Sequence, residues 1–126
     1  MGGLFATLAA AGAWASLLRG RGWPPVSRYI VDGSSMEPAY RKGDRLLVNR
    51  LAYAAHGPQP GDVVVLRDPG ERTRLLIKRV AEAPAGSLPT PRQIYVLGDN
   101  AAESRDSRHF GPVNWTLILG RAWRKY

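Results

Sequence analysis

Six short apolar runs separated by turn signals constrain the fold of this 126-residue chain more than any other feature of its sequence. Each run is rich in leucine or β-branched residues, and glycine-aspartate pairs separate several of them, as at Gly43-Asp44 and Gly61-Asp62. Such runs between turn residues predict antiparallel strands. We therefore predict an all-β fold, mainly an antiparallel, partly closed sheet. The predicted strands span residues 28–32, 44–49, 62–67, 74–81, 93–97 and 116–124.

Composition excludes several fold classes and several kinds of catalytic or metal-binding chemistry. Ten prolines and fourteen glycines without a period exclude collagen, coiled coil and a helical bundle, and the length suffices for one core. The absence of cysteine excludes disulfides, thiol catalysis and cysteine-based metal sites. Only His56 and His109 remain as imidazoles, and they lie far apart in the sequence, so we predict no metal and no cofactor.

The first 18 residues carry no charged side chain, and Leu4–Leu18 is a continuous run of apolar and small residues. The run predicts a short apolar helix of about 27 Å, just below the roughly 30 Å of a bilayer core. We predict residues 1–22 as a possible membrane anchor, with a packed amphipathic segment or a cleaved signal as alternatives. Residues 23–27 form a proline-rich linker, and the globular domain spans residues 28–126.

Positive charge is in excess, with 18 lysine and arginine residues against 10 acids and a net charge of +8. This balance predicts attraction to a polyanion such as nucleic acid, an acidic lipid surface or an acidic protein. Arginine does not lose its proton in proteins, so a basic catalyst has only Lys42, Lys78 and Lys125 as lysine candidates.

Ser35 and Lys78 are candidates for a nucleophile and its base. Ser35 follows a predicted strand in a glycine-led bend that would expose its hydroxyl, although serine in such a bend is usually an ordinary turn residue. Strand alternation places Lys78 on an apolar face with Leu76 and Val80, where burial would lower its pKa. The alternative is an edge-strand lysine that extends to water.

The segment 97–113 concentrates carboxylates, arginines and hydroxyls after a predicted strand. Ser104 could orient a neutral lysine amine, and Asp99 and Asp106 could pair with Arg79 and Arg108 to hold the loop against the lysine strand. The alternative is a solvated turn whose surface ion pairs contribute little.

Three motifs occur in order: Ser35-Met36-Glu37-Pro38, Lys78-Arg79-Val80, and Gly98-Asp99-Asn100 continuing to Arg108. Together they resemble the conserved boxes of type I signal peptidases, over about residues 28–124. The resemblance implies that residues 28–126 are a Ser-Lys peptidase core, with Ser35 as nucleophile, Lys78 as general base and Ser104 as the orienting hydroxyl. It also implies an oxyanion site at the backbone around Gly33, Ser34 and Ser35. The residues expected to support the substrate or the site are Met36, Pro38, Arg79, Asp99, Asn100, Asp106 and Arg108.

The family resemblance implies a serine endopeptidase that cleaves signal peptides after small residues, in an Ala-x-Ala pattern, and we expect it to be a monomer. The preprotein or propeptide would bind as an extended strand. We expect the catalytic domain at a cell membrane, on the extracytoplasmic side, and no nucleic acid partner. Two departures are Gly33, which lacks the side-chain hydroxyl of some members, and Ala39, where threonine is common.

Two alternative functions stay open. Arg19, Arg21 and Arg28 follow the apolar segment, and the positive-inside rule would then keep the domain in the cytoplasm. That location would suit a maturation peptidase that trims a short N-terminal propeptide, of the nickel superoxide dismutase type. The non-enzymatic alternative is a basic β module that binds nucleic acid.

Overall fold

The computed structural model describes residues 3–6, 25–88 and 90–126. They form eight β-strands, one short α-helix, α1 (Ser107–Phe110), and two 3-10 turns, Ala101–Glu103 and Trp115–Leu117. The strands are β1 (Gly3–Ala6), β2 (Val26–Asp32), β3 (Arg45–Asn49), β4 (Val63–Arg67), β5 (Leu75–Ala81), β6 (Gln93–Leu97), β7 (Val113–Asn114) and β8 (Ile118–Lys125).

The strands make one antiparallel sheet in the order β1-β2-β3-β8-β4-β5-β6-β7. The prediction of a mainly antiparallel all-β fold is confirmed. The hydrogen-bonded order of the described strands has two ends, β1 and β7, so the sheet is not closed, whereas a partly closed sheet was predicted. β8 pairs with both β3 and β4 and so joins strands β1–β3 to strands β4–β7. Its pairing shifts register at Leu47/Val48 of β3 and at Val65/Leu66 of β4. Such bulges increase twist and let a sheet curl around its core.

All six predicted strands are present within two residues of their predicted bounds. The predicted helix over Leu4–Leu18 is wrong at its start, because Gly3–Ala6 is a strand that pairs with β2. The edge of β2 offers backbone donors and acceptors with which an apolar segment can pair. The composition of that segment does not reveal that β2 is its partner. The rest of the predicted helix lies outside the described residues. No helix within the described ranges is long and apolar enough to cross a membrane.

β4 lies at the centre of the core, because its apolar side chains are buried on both faces of the sheet. Val63 and Val65 pack in one cluster with Ile77, whereas Val64 and Leu66 pack in the other with residues of β5 and β6. Burying each such side chain contributes about 1.5–3 kcal/mol relative to exposure. The first cluster also includes Tyr29, Val31, Met36, Leu46 and Val48. The second cluster also includes Leu76, Val80, Ile94, Val96, Val113 and Leu117.

The sheet brings three segments of the chain together. The bend after β2 carries Ser35, the middle of β5 carries Lys78 opposite Val64 of β4, and the segment after β6 carries Ser104. We call this last segment, residues 98–112, the Ser104 loop. β5 and β6 are neighbours in the sheet, so the Ser104 loop begins beside the lysine strand.

Candidate active site

Ser35 lies in the bend after β2 and is 5% exposed. Its backbone oxygen accepts a 2.8 Å hydrogen bond from the Asn100 amide N–H, and the Asn100 side-chain amide donates to the Ser34 oxygen at 3.1 Å. Met36 is fully buried, and its sulfur accepts a weak hydrogen bond from the Asp99 N–H at 3.4 Å. The bend is therefore attached to the Ser104 loop on both sides of the serine.

The remaining residues of the bend differ in burial. Gly33 and Ser34 are half-buried, whereas Pro38 is exposed. Of the residues expected to support the site, Pro38 is exposed together with Asp99 and Arg108, but unlike those two it forms no ion pair with the site.

Lys78 is 2% exposed and lies on the face of β5 that Leu76 and Val80 share, as strand alternation predicts. The alternative of a lysine that extends to water is wrong for this side chain. Its Nζ donates a 3.2 Å hydrogen bond to the Ser104 Oγ. Burial lowers the pKa of Lys78 to about 8, against the opposing effect of the Asp106 and Asp68 carboxylates. A sizeable fraction of this lysine is therefore neutral near physiological pH.

Ser104 is held in one orientation by Asp106. The Ser104 hydroxyl donates to Asp106 Oδ2 at 2.7 Å, and the Gly98 N–H donates to the same oxygen at 2.9 Å. Because its hydrogen points to Asp106, the Ser104 oxygen accepts a hydrogen from Lys78. A neutral Lys78 amine that donates there keeps its lone pair for another partner.

Asp106 is fully buried and paired with Arg108, as predicted. The Arg108 Nε and Nη2 donate to its two oxygens at 2.9 and 2.6 Å, and the Arg108 N–H donates at 3.2 Å, which caps α1. Burial raises the pKa of Asp106, but the donors from Arg108, Gly98 and Ser104 outweigh it and hold the pKa well below its usual range. Asp106 thus stays ionised and keeps accepting from Ser104.

Arg79 and Asp99 form the other predicted ion pair. The Arg79 Nε and Nη2 each donate to one Asp99 oxygen at 2.9 Å, a two-point contact, and Nη1 donates to the Gly61 oxygen at 3.0 Å. This pair is more exposed than that of Asp106. It connects β5 to the start of the Ser104 loop and so limits how far the loop can move from Lys78.

Ser35 and Lys78 line one cavity of about 100 Å³. A neutral amine beside a hydroxyl can take its proton, and the resulting alkoxide can attack a carbonyl carbon. The described residues contain no cluster of three or more histidine, cysteine, aspartate or glutamate side chains that could hold a metal. The other residues lining the cavity are Asp68, Arg74, Leu76, Glu103 and Arg105.

Sequence reasoning overlooked Asp68 and Arg105, and it placed Gly98 in the third motif without giving it a role. A Cβ at Gly98 would overlap the Ser104 hydroxyl and lie 2.7 Å from the Ser35 backbone oxygen, so only glycine fits between them. Asp68 is 1% exposed at the end of β4 and pairs with Arg105 at 2.6 Å. The available signal was a carboxylate directly after a strand whose first four residues are apolar.

Neither histidine joins Ser35 in the cavity. His56 is exposed, and the His109 Nδ1 accepts a 3.2 Å hydrogen bond from the Asp106 N–H at the start of α1. His109 therefore has a capping role.

The family model described as "Signal peptidase, peptidase S26" matches residues 4–89 and 86–126. The chain is 33% identical over 114 residues to the mitochondrial ATP-independent inner membrane protease subunit 1a of Arabidopsis thaliana, covering 77% of this chain and 68% of the relative. It is 31% identical to the mitochondrial inner membrane protease subunit 1 of Mus musculus, covering 76% and 66%. A third relative is signal peptidase I of Bacillus caldolyticus, at 27% identity over 86% of this chain and 91% of the relative.

The chain spans about two thirds of the length of the two mitochondrial relatives. The family model extends over nearly all of the chain, and its matched residues include Ser35, Lys78 and Ser104. The chain therefore belongs to the signal peptidase family, peptidase S26.

Proposed function

We propose that the protein is a serine endopeptidase that removes signal peptides after small residues, with Ser35 as nucleophile and Lys78 as general base. The observation that carries the proposal is the buried Lys78 amine, which hydrogen-bonds Ser104 and shares a cavity with Ser35. A lysine in that setting favours its neutral form, which a base requires.

In the proposed reaction the neutral Lys78 amine takes the proton of the Ser35 hydroxyl. The Ser35 Oγ then bonds to the scissile carbonyl carbon, and the Lys78 ammonium returns the proton to the leaving amine as the peptide bond breaks. Lys78 then deprotonates a water that attacks the acyl carbon, and it returns this proton to the Ser35 oxygen as the ester bond breaks. Ser104 keeps one amine hydrogen occupied and so orients the lone pair.

Backbone groups of the Ser35 bend stabilise the oxyanion in this proposal. The Ser35 N–H is the principal donor, with Gly33 and Ser34 beside it. Gly33 has no side-chain hydroxyl, so no side chain of residue 33 can assist. The hydrogen bonds from Asn100 to Ser34 and Ser35 support the proposal because they restrain the bend in which the donor lies.

The proposed substrate is a preprotein whose signal peptide ends in Ala-x-Ala and binds as an extended strand. In an extended chain every second side chain points to the same side, which suits a pattern of two small residues. The cavity of about 100 Å³ beside Ser35 supports small side chains there.

We propose that the protein acts at a membrane as a monomer, with its catalytic core on the extracytoplasmic side and without a nucleic acid partner. The relatives support a membrane setting, because two are inner membrane protease subunits and a third is a signal peptidase I. A cytoplasmic maturation peptidase is the alternative.

The test is cleavage of a preprotein with an Ala-x-Ala signal in detergent. We expect cleavage by the wild type and loss of at least about 1,000-fold in Ser35→Ala and Lys78→Arg, because arginine cannot serve as a base. Ser87→Ala and Lys42→Arg are matched controls on exposed segments and should keep full activity. Turnover by folded Ser35→Ala or Lys78→Arg would remove that residue from the mechanism.

If the wild type itself leaves this preprotein intact, the signal-peptide specificity is wrong. The next substrate is then a short cytosolic propeptide. Cleavage of that propeptide with the same dependence on Ser35 and Lys78 would favour the maturation peptidase.

The pH dependence of kcat/KM tests the base separately. Only neutral Lys78 can accept the serine proton, so activity should rise with pH through about 8 and fall roughly tenfold per unit below that value. A profile that is flat between pH 6 and 9 would contradict a lysine base.

A further inference from the structure

Asp68 is a buried carboxylate that the proposed reaction does not use. It directly follows β4, is 1% exposed, and accepts a 2.6 Å hydrogen bond from the Arg105 Nη1 and a 2.8 Å bond from the Gly70 N–H. Arg74 lies farther away, with its Nη1 3.9 Å from the same carboxylate. A fully buried carboxylate is costly without such partners, so the Arg105 contact is integral to the fold.

The register of β4 and β5 places Asp68 on the face of Lys78. Val64 lies opposite Lys78 and Leu66 opposite Leu76, and the Asp68 N–H continues the pairing by donating to the Arg74 oxygen at 2.9 Å. Residues 64, 66 and 68 share one face because side chains alternate along a strand. Asp68, Leu76 and Lys78 therefore share one face of the sheet, and all three line the same cavity.

Arg105 is held in place on three sides. Asp68 accepts its hydrogen bond, the Phe110 ring centroid lies 5.1 Å from its guanidinium carbon, and Gly70 leaves room for it. A Cβ at Gly70 would lie 3.0 Å from the Arg105 Nη2. Although the Arg105 side chain is half exposed, its charged end is thus aimed at the cavity by several contacts.

Neighbouring residues of the Ser104 loop contact the two buried charged side chains that line this cavity, Lys78 and Asp68. Ser104 accepts from Lys78 on β5, and Arg105 donates to Asp68 at the end of β4. The ion pair therefore attaches the loop to the sheet one residue away from the hydroxyl that orients the lysine.

We propose that Asp68 and Arg105 act together as a positioning pair for Lys78, holding Ser104 against the amine and balancing opposite charges across the cavity. The proposal rests on the role of Lys78 as base in the proposed function. It makes Asp68 and Arg105 positioning residues, because they act through Lys78 and Ser104.

The charges that face Lys78 come from two elements. Asp106 and Arg108 lie in the Ser104 loop and neutralise each other, and Asp68 with Arg105 forms the second opposed pair. Asp68 raises the pKa of Lys78, whereas Arg105 lowers it. The remaining charged groups lining the cavity are Arg74 and Glu103. Removing one member of the Asp68–Arg105 pair should therefore shift the titration of Lys78 in a direction that depends on which member is lost.

The first experiment compares pH profiles of kcat/KM for the wild type, Asp68→Asn and Arg105→Gln. We expect the acid limb to move to lower pH in Asp68→Asn and to higher pH in Arg105→Gln, each by on the order of one pH unit. Arg105→Lys keeps the charge and should return the limb towards that of the wild type. Loss of activity at all pH values with an unmoved limb in both variants would mean a merely structural pair and would overturn the proposal.

Asp62→Asn is the matched control, because Asp62 precedes β4 as Asp68 follows it. It also pairs with an arginine, Arg121, at 3.4 Å, and it does not line the cavity. We expect its acid limb to stay where the wild-type limb lies. An equal shift in Asp62→Asn would show that any lost carboxylate has this effect, and it would defeat the proposed role of Asp68.

The second readout does not depend on cleavage. Acetylation of lysine by acetic anhydride requires the neutral amine, so its rate against pH, measured by peptide mass spectrometry, reports the titration of Lys78. The exposed Lys42 and Lys125 are internal references in the same samples. We expect the Lys78 curve to shift in opposite directions in Asp68→Asn and Arg105→Gln, whereas the two references stay unchanged.

The two readouts separate the proposals. Opposite shifts of the Lys78 curve without cleavage of the preprotein would retain the positioning pair and reject the substrate assignment. Cleavage that needs Ser35 and Lys78, together with unshifted curves in both folded variants, would retain the proposed function and reject the pair. Urea unfolding of each variant checks that it is folded, and Arg105→Lys provides the test if Arg105→Gln does not fold.

Discussion

Two loops flank β6, and they differ in how their polar groups are used. Residues 82–92, the proline loop, enter the strand, and the Ser104 loop leaves it. Within its described part, which excludes Pro89, the proline loop has no buried residue. The Ser104 loop buries three polar side chains, those of Ser104, Asp106 and Ser107.

The hydrogen bonds that side chains form in the two loops differ in reach. In the proline loop Ser87 bonds to Pro84, three residues away, through its hydroxyl at 2.6 Å and its N–H at 3.0 Å. In the Ser104 loop Ser107 accepts from the Val96 N–H and Ser104 contacts Lys78 on another strand. A loop that supplies buried polar groups must satisfy them through distant partners, and those partners fix its geometry. The proposed function depends on the second kind of loop, because Ser104 contacts Lys78.

A four-residue glycine-serine insertion gives the largest expected contrast between the loops. Placed after Gly86, it should cost less than about 1 kcal/mol of stability, because lengthening an exposed loop adds little closure entropy. Placed after Ala102, it should abolish cleavage, since it separates Asn100 from Ser104. Urea unfolding and the preprotein assay measure both effects, and an active enzyme with the second insertion would refute the distinction.

Replacing Asp106 should have the next largest effect. Asp106→Asn removes a buried charge that accepts from Arg108, Gly98 and Ser104, and should lower the free energy of unfolding by about 3 kcal/mol or more. Glu82→Gln, at an exposed site of the proline loop, should change stability by less than about 0.5 kcal/mol. Equal urea midpoints for the two variants at pH 7 would remove Asp106 from its structural role.

The pH dependence of stability tests the burial of Lys78, the lysine that contacts the Ser104 loop. Burial lowers its pKa from 10.5 to about 8, so the folded state binds fewer protons than the unfolded state between those values. Stability should therefore rise with pH across that window, by about 3 kcal/mol from this group. The difference in unfolding free energy between the wild type and Lys78→Met, measured at pH 7.5 and 10.5, isolates the contribution. A difference independent of pH would contradict the lowered pKa.

Glycine substitutions give the smallest of these contrasts. Gly98→Ala should reduce kcat/KM by about 100-fold, because its methyl group would displace Ser104 and the Ser35 bend by part of an ångström or more. Gly86, in the proline loop, has φ +75° with open space around it, so Gly86→Ala should cost about 1 kcal/mol of stability. Its activity should be that of the wild type. A Gly98→Ala enzyme with normal kcat/KM would show that Ser104 needs no exact placement.

Much of the fold could be predicted from the sequence because strand signals are local. The bounds of β6 were predicted without error, and those of β2, β3, β4, β5 and β8 within two residues. β7 was missed because two residues show no alternation, and β1 because its apolar run resembles a helix. Alternation also anticipated the side on which Lys78 lies.

In the candidate site, too, local motifs could be found from the sequence, whereas long-range contacts could not. Ser35, Lys78 and Ser104 were named from motifs and resemblance, and the structure brings Ser35 and Lys78 to one cavity and Ser104 to the lysine. The catalytic roles of these residues stay predictions for the variants above. The pairing of Asp68 with Arg105 could not be foreseen, because it joins residues far apart in sequence through the register of two strands.

The number and place of the central strands, the scarcity of titratable bases and the motifs that carry the resemblance could all be read from the sequence. These depend on local side-chain pattern and on residue identity. Three further features follow from the folding of the whole sheet: Lys78 is buried with its amine on Ser104, Gly98 admits no side chain, and a second ion pair borders the cavity. Burial and ion pairing depend on which strands become neighbours, and long-range packing of the whole sheet selects those neighbours.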